Sequence, residues 1–125
     1  MEHFWTWMRN GTAIVTTPVD VDMANEEELA AKLLAASEWS PVLVVDANTC
    51  GTFFSVAAMR VLHLAGRRMA ATGGEVRLVL PVPDKYKCRS LLKTVRYDKY
   101  LQLFESLDEA VEAPQQNLAL EPQAA

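Results

Sequence analysis

The run Val42-Leu43-Val44-Val45 leads through a loop to Phe53-Phe54-Ser55-Val56-Ala57-Ala58, and a long helical pattern then ends at Gly73-Gly74 before Val76-Arg77-Leu78-Val79-Leu80. This order of apolar run, helical period and apolar run reads as one β-α-β unit. Its helix is expected over about 56–72, with Ala58, Val61, Leu62, Ala65 and Met69 on the buried face at three- and four-residue spacings, and with Arg60, His63 and Arg67 opposite. Gly73-Gly74 follows the helix and reads as its C-cap. The turn from Phe53 into the helix bears most on function, because a helix N-terminus offers unpaired N–H donors and a positive dipole end to an anion or a partner. Here that turn is apolar.

Upstream, Phe4-Trp5-Thr6-Trp7-Met8-Arg9 and Thr12-Ala13-Ile14-Val15-Thr16-Thr17 flank Asn10-Gly11, a dipeptide that tolerates the positive φ angles of a type I′ turn, so this segment reads as a β-hairpin. Pro18-Val19-Asp20-Val21-Asp22-Met23-Ala24 then leads to Asn25, which with Glu28 makes a capping-box pattern; Leu29, Leu33 and Leu34 give the helix that follows an apolar stripe, and Pro41 should lie beyond its end. Downstream, Pro81-Val82-Pro83-Asp84 opens a third helix with Cys88, Leu91, Leu92 and Val95 inward. Tyr100 to Phe104 is a candidate edge strand, and Ser106 with Glu109 caps a last helix in which Leu107, Ala110 and Val111 face in. The expected order is β-β-α-β-α-β-α-β-α, with the main helices on one face of a mixed sheet and the other face more open.

The chain has 125 residues, half of them hydrophobic, which is enough for one core and too little for two typical domains. A single domain over 1–113 is expected, followed by a disordered tail over 114–125 with little to bury. No apolar run approaches the roughly 20 residues needed to cross a bilayer, and Met1-Glu2-His3-Phe4 lacks the pattern of a secretion signal. A soluble cytoplasmic protein without membrane contact is the expectation, with Cys50 and Cys88 as free thiols. Charge is unevenly spread. Residues 1–59 carry two bases against eight acids, net −6; residues 60–99 carry ten bases against three acids, net +7; residues 100–125 carry five acids and no base, net −5. A basic middle would attract nucleic acid or an acidic partner, but the spacing of its bases also fits the solvated faces of two helices. Arg60, His63 and Arg67 are therefore read as one solvated helix face, Lys85, Arg89, Lys93 and Arg96 as another, and no nucleic-acid partner is expected.

Nothing supports catalysis. His3 and His63 are isolated, no His or Cys pair has metal-ligand spacing, and no Gly-rich phosphate loop follows a strand, so neither metal nor cofactor is expected.

Taken together, Pro18 to Asp22, Val44-Val45-Asp46, Thr52-Phe53, Gly73-Gly74, Asp98 and Glu105-Ser106-Leu107-Asp108-Glu109-Ala110 stand in an order and spacing that resembles the STAS domain of bacterial anti-sigma factor antagonists, from about Thr12 to Ala113. The resemblance implies an α/β fold with a mixed four- or five-stranded sheet, a leading hairpin and about four helices. It also implies binding to an anti-sigma factor of the histidine-kinase-like ATPase type or another signalling protein. The family's motif, Asp-Ser-Ser/Thr-Gly, lies where strand three turns into helix two, and its first serine is phosphorylated by that partner. Counted back from Gly73-Gly74, this chain places Ser55 at the aspartate, Val56 at the phosphoserine and Ala58 at the glycine. Valine accepts no phosphate, so the switch is expected to be absent at its usual position.

Three readings follow, in order of preference: an antagonist or adaptor that binds its partner without phosphorylation control; a switch moved to Ser55, which ungapped counting from Asp46 places at the family's serine; or a homotypic scaffold, a homodimer for instance, or a module responsive to a nucleotide or other small anion, unconnected to sigma factors. Ser55 also fits as a plain N-cap, the preferred role. By resemblance the partner-facing residues are Pro18, Asp20, Asp22 and Asn25 before the first helix, and Phe54, Ser55, Val56, Ala57, Ala58 and Met59 at the second. For Phe54, Val56 and Met59 the sequence leaves two alternatives open, an exposed apolar patch or ordinary inward packing. Asp20 and Asp22 serve equally as turn-forming acids.

Overall fold

The computed structural model describes residues 3–47, 53–80 and 82–115. The hairpin forms as its turn demands: β1 (Trp5–Arg9) and β2 (Thr12–Thr16) run antiparallel with Arg9 opposite Thr12, and Asn10 and Gly11 take positive φ angles of 51° and 77°. Three parallel strands extend the sheet from β2: β4 (Val42–Asp46), β6 (Glu75–Val79) and β7 (Leu101–Phe104), in the order β1-β2-β4-β6-β7. Beside this sheet a two-residue strand β3 (Asp20–Val21) pairs in parallel with β5 (Phe53–Phe54). Neither short strand was expected.

The helices are α1 (Glu26–Ser37), α2 (Val56–Ala70), α3 (Cys88–Thr94) and α4 (Leu107–Glu112). The main core packs α1 and α2 on the face formed by Ala13, Val15, Leu43, Val45, Val76 and Leu78, with Cys88 and Leu92 of α3 in the same cluster. On the opposite face, Ala110 and Val111 of α4 join Ile14, Val44 and Val79 in a second, smaller cluster. That face is therefore the more open of the two, as expected, and α4 closes part of it. Arg77 explains how. Within the described residues its guanidinium is almost fully buried and its Nε donates to Glu75 at 2.8 Å, Nη1 to the Ala110 carbonyl at 2.7 Å and Nη2 to the Pro114 carbonyl at 3.0 Å. Gln115 Nε2 donates to the Gly73 carbonyl at 2.6 Å. Of the tail expected over 114–125, residues 116–125 lie outside the described residues.

Several local expectations change. Leu34 is exposed, and Ala36 takes its place beside Leu29 and Leu33, because one residue past Leu33 is 100° further round the helix. Asn25 stands at the N-cap of α1 but makes no side-chain bond to the helix, so the capping box with Glu28 does not form. The third helix begins only at Cys88, where the Asp84 carboxylate accepts from the Cys88 and Arg89 amides at 2.9 and 2.7 Å; with seven residues it buries Cys88 and Leu92 but leaves Leu91 exposed and Val95 at its end. Burial, followed by the nearby Asp84 charge, pushes the Cys88 thiol up to about 12, so it stays protonated and free. Cys50 lies outside the described residues. His63 is not on a solvated face: its ring stacks on Tyr97 at 4.9 Å and lies 5.9 Å from Tyr100. Desolvation, then the charges of Arg67 and Arg60, lower its pKa, while a backbone hydrogen bond at Tyr97 opposes them.

The C-terminus of α2 meets the sequence expectation. Gly73, at φ 84°, donates to the Ala70 carbonyl and Gly74 to that of Met69, the paired bonds of a Schellman motif.

Candidate functional site

Parallel strands that share one direction deliver their following loops to one end of the sheet. Because β4 lies between β2 and β6, the β5–α2 turn sits between the segment joining β2 to α1 and the segment joining β6 to α3. The short pair β3·β5 fastens the first two together: Phe53 N donates to the Val19 carbonyl and Ser55 N to that of Val21, each at 2.9 Å. The pair ends where α2 starts.

Ser55 is the N-cap of α2, in extended conformation, and its Oγ accepts from Ala58 N at 3.1 Å. This is the capping arrangement the sequence favoured. Replacing Ser55 by Ala is expected to cost about 1 kcal/mol of stability, read by chemical denaturation; an unchanged midpoint and slope would remove the cap from the account. Val56, the first helical residue, is 52% exposed, and Ala57 is half-buried. Phe54, Ala58 and Met59 are buried, so the inward alternative holds for Phe54 and Met59 and the apolar tip of the helix narrows to Val56 with Ala57.

The segment before α1 is held by its own polar side chains. Asn25 Oδ1 accepts from Asp22 N and Asn25 Nδ2 donates to the Asp20 carbonyl, both at 2.9 Å, while the Asp22 carboxylate accepts from Ala24 N at 2.9 Å. Asn25 and Asp22 thus shape the turn. Asp20 projects into solvent and Pro18 is buried. Sequence reasoning missed four apolar residues brought to this same end. Val19 and Val82 are exposed, Met23 is 82% exposed, and the partly exposed Tyr86 ring meets Phe53 edge-on at 5.5 Å. Single apolar residues in loops carry no periodic signal; only the topology gathers them.

Charge is sorted across this rim. On the β2 side stand Asp20, Asp22 and the acidic first turn of α1, Glu26, Glu27 and Glu28; on the β6 side stand Lys85, whose Nζ lies 5.3 Å from the Tyr86 ring centre, Lys87 and Arg89. The apolar tip of α2 falls between. Among the described residues no group of three or more His, Cys, Asp and Glu side chains could hold a metal ion, and no helix is long and apolar enough to cross a membrane. What this end offers is an apolar helix tip with bases on its β6 side and mainly acids on its β2 side, where Arg60 of α2 lines one groove with Glu26, Glu27 and Ala57.

Solved structures share this architecture. An anti-sigma factor antagonist from Mycobacterium paratuberculosis superimposes with a TM-score of 0.73 at 20% identity, over 87% of this chain and 90% of its own. The anti-sigma factor antagonist SpoIIAA in its unphosphorylated form gives a TM-score of 0.68 at 16% identity, over 88% of this chain and 94% of its own. The phosphorylated form of SpoIIAA, a Bacillus cell fate determinant, gives 0.63 at 16% identity. This is the STAS fold. No family model matches the sequence, and no curated protein does. The leading hairpin, the mixed five-stranded sheet and the four helices agree with what the sequence resemblance implied; the two short strands were not part of that expectation.

Proposed function

We propose that this chain acts as an anti-sigma factor antagonist, binding an anti-sigma factor of the histidine-kinase-like ATPase type or a related signalling protein in the bacterial cytoplasm, without a phosphoserine switch at Val56. It works by contact rather than catalysis, and the unit that binds is the single domain over residues 1–113. The fold shared with anti-sigma factor antagonists supports the general kind of function. The observation that carries the particular reading is the exposed, uncharged Val56 at the first position of α2, flanked by acids on one side and bases on the other. Pro18 is buried and contributes by fixing the path of the chain, while Asp20, Asp22, Val56 and Ala57 make the contact.

Val56→Asp tests this. Because Val56 is half in solvent, the substituted carboxylate stays hydrated in the free protein and even favours the positive end of α2, so the circular dichroism spectrum and melting curve should hardly change. In the complex the same charge is desolvated against the partner, and binding to a histidine-kinase-like anti-sigma factor should weaken about a hundredfold or more. Undiminished binding by a folded Val56→Asp would overturn the site, and failure of the unmodified chain to bind any such anti-sigma factor would overturn the class of partner. In the same assay with ATP, mass spectrometry should find Ser55 unphosphorylated; stoichiometric phosphate there would restore the switch.

A further inference from the structure

We propose that β1 is a dimerisation edge that pairs antiparallel with β1 of a second copy of this chain, Trp7 opposite Trp7. Among the described residues β1 pairs only with β2, so its outer side presents an unpaired row of backbone groups, the feature that folded proteins usually blunt with charge, proline or a covering element. Here the edge carries Trp5, Trp7 and Met8, respectively 60%, 37% and 44% exposed, and its one charge, Arg9, is already paired with Asp108 of α4 at 2.7 Å. The register says which partner fits. Closing a two-residue turn makes Arg9 and Thr12 a hydrogen-bonded pair, so Trp7·Ile14 and Trp5·Thr16 are hydrogen-bonded as well, and the N–H and C=O groups of Thr6 and Met8 point outward.

A two-fold axis beside Trp7 then lets Thr6 of each copy exchange both backbone bonds with Met8 of the other. Trp7 meets its symmetry mate in a non-hydrogen-bonded pair, where side chains lie closest and aromatic pairs are favoured. The same register sets Arg9 of one copy against Trp5 of the other, a guanidinium over an indole face, and brings no like charges opposite one another. The strand is self-complementary, as an isologous interface requires. This surface is the outer edge of the sheet and is independent of the partner proposed for α2.

Sedimentation of the full chain across low to high micromolar concentrations should show a reversible doubling of mass. Two substitutions should each return it to monomer with the circular dichroism spectrum kept. Thr6→Pro removes an outward N–H that β2 does not use, and Trp7→Lys puts like charges face to face at the axis. Each decides without the other should one of them fail to fold. In a Cys50→Ser background, Trp7→Cys should oxidise to a symmetric interchain disulfide while Trp5→Cys does not. A chain that stays monomeric at high micromolar concentration, a dimer that survives folded Thr6→Pro or Trp7→Lys, or a dimer in which Trp7→Cys fails to cross-link would each overturn the proposal.

Discussion

Arg77→Met should destabilise the protein by about 3–5 kcal/mol, a large part of the roughly 5–15 kcal/mol that holds a domain of this size together. The guanidinium sits inside the second, smaller core, where its Nε bond to Glu75 joins two side chains that are each 1% exposed. Methionine has similar bulk and fills the space, so cavity formation is a minor part of the cost. What is lost is the positive partner of a buried carboxylate and the donors to the Ala110 and Pro114 carbonyls, which are the bonds that hold the end of α4 to the sheet. Two measurements separate this from general damage. Amide exchange should rise first in α4, at Ala113, whose N–H is bonded to the Glu109 carbonyl. The double variant Glu75→Gln with Arg77→Met should be more stable than Arg77→Met alone, since the buried side chain at 75 then no longer carries a charge that has lost its Arg77 partner. A cost below about 1 kcal/mol for the single variant, or no recovery in the double, would refute the clamp.

Gly66→Ala should also destabilise, against the usual trend. In an exposed helix interior this change gains about 0.5–1 kcal/mol, because alanine has less chain freedom to lose. At Gly66, however, a Cβ would lie 2.5 Å from the Tyr100 carbonyl oxygen and 3.1 Å from the Tyr100 Cβ. Both are atoms of, or next to, main chain that leads directly into β7, so the neighbour cannot rotate away; α2 and the start of β7 must separate. Overpacking of this kind costs about 1–3 kcal/mol. The stacking of His63 on Tyr97, with the tilted Tyr100 ring nearby, is one turn away and should loosen with it, visible as shifted imidazole resonances. Gly66→Ala with stability equal to or above that of the unmodified chain would show that the approach of α2 to Tyr100 is not tight.

How much of this was readable in the chain depends on distance along it. The β-α-β unit and the hairpin declared themselves because each rests on a local signal, apolar runs around a helical period in one case and Asn10-Gly11 in the other. The Ser55 cap was equally local, a favoured capping residue three positions before the amide it receives. Asn25 looked the same on paper and behaves differently, since a short amide bonds as readily backward to the loop as forward to a helix. The pair β3·β5 was invisible: two residues cannot show a period of two, and its partners are more than thirty positions apart. Arg77 was hidden for a related reason. A charged residue inside an apolar strand makes sense only beside carbonyls contributed by residues 110 and 114. At the candidate site, the position of the helix tip was legible, and the division of Phe54, Val56 and Met59 between core and solvent was not, because strand and helix periods meet there.

The bonds from Phe53 to Val19 and from Ser55 to Val21 have a further effect on recognition. They tie the segment before α1 to the start of α2, so the partner proposed above would meet Val19 to Val21 and Phe53 to Ser55 already held together, and cutting that splice should erode complex lifetime more than encounter rate.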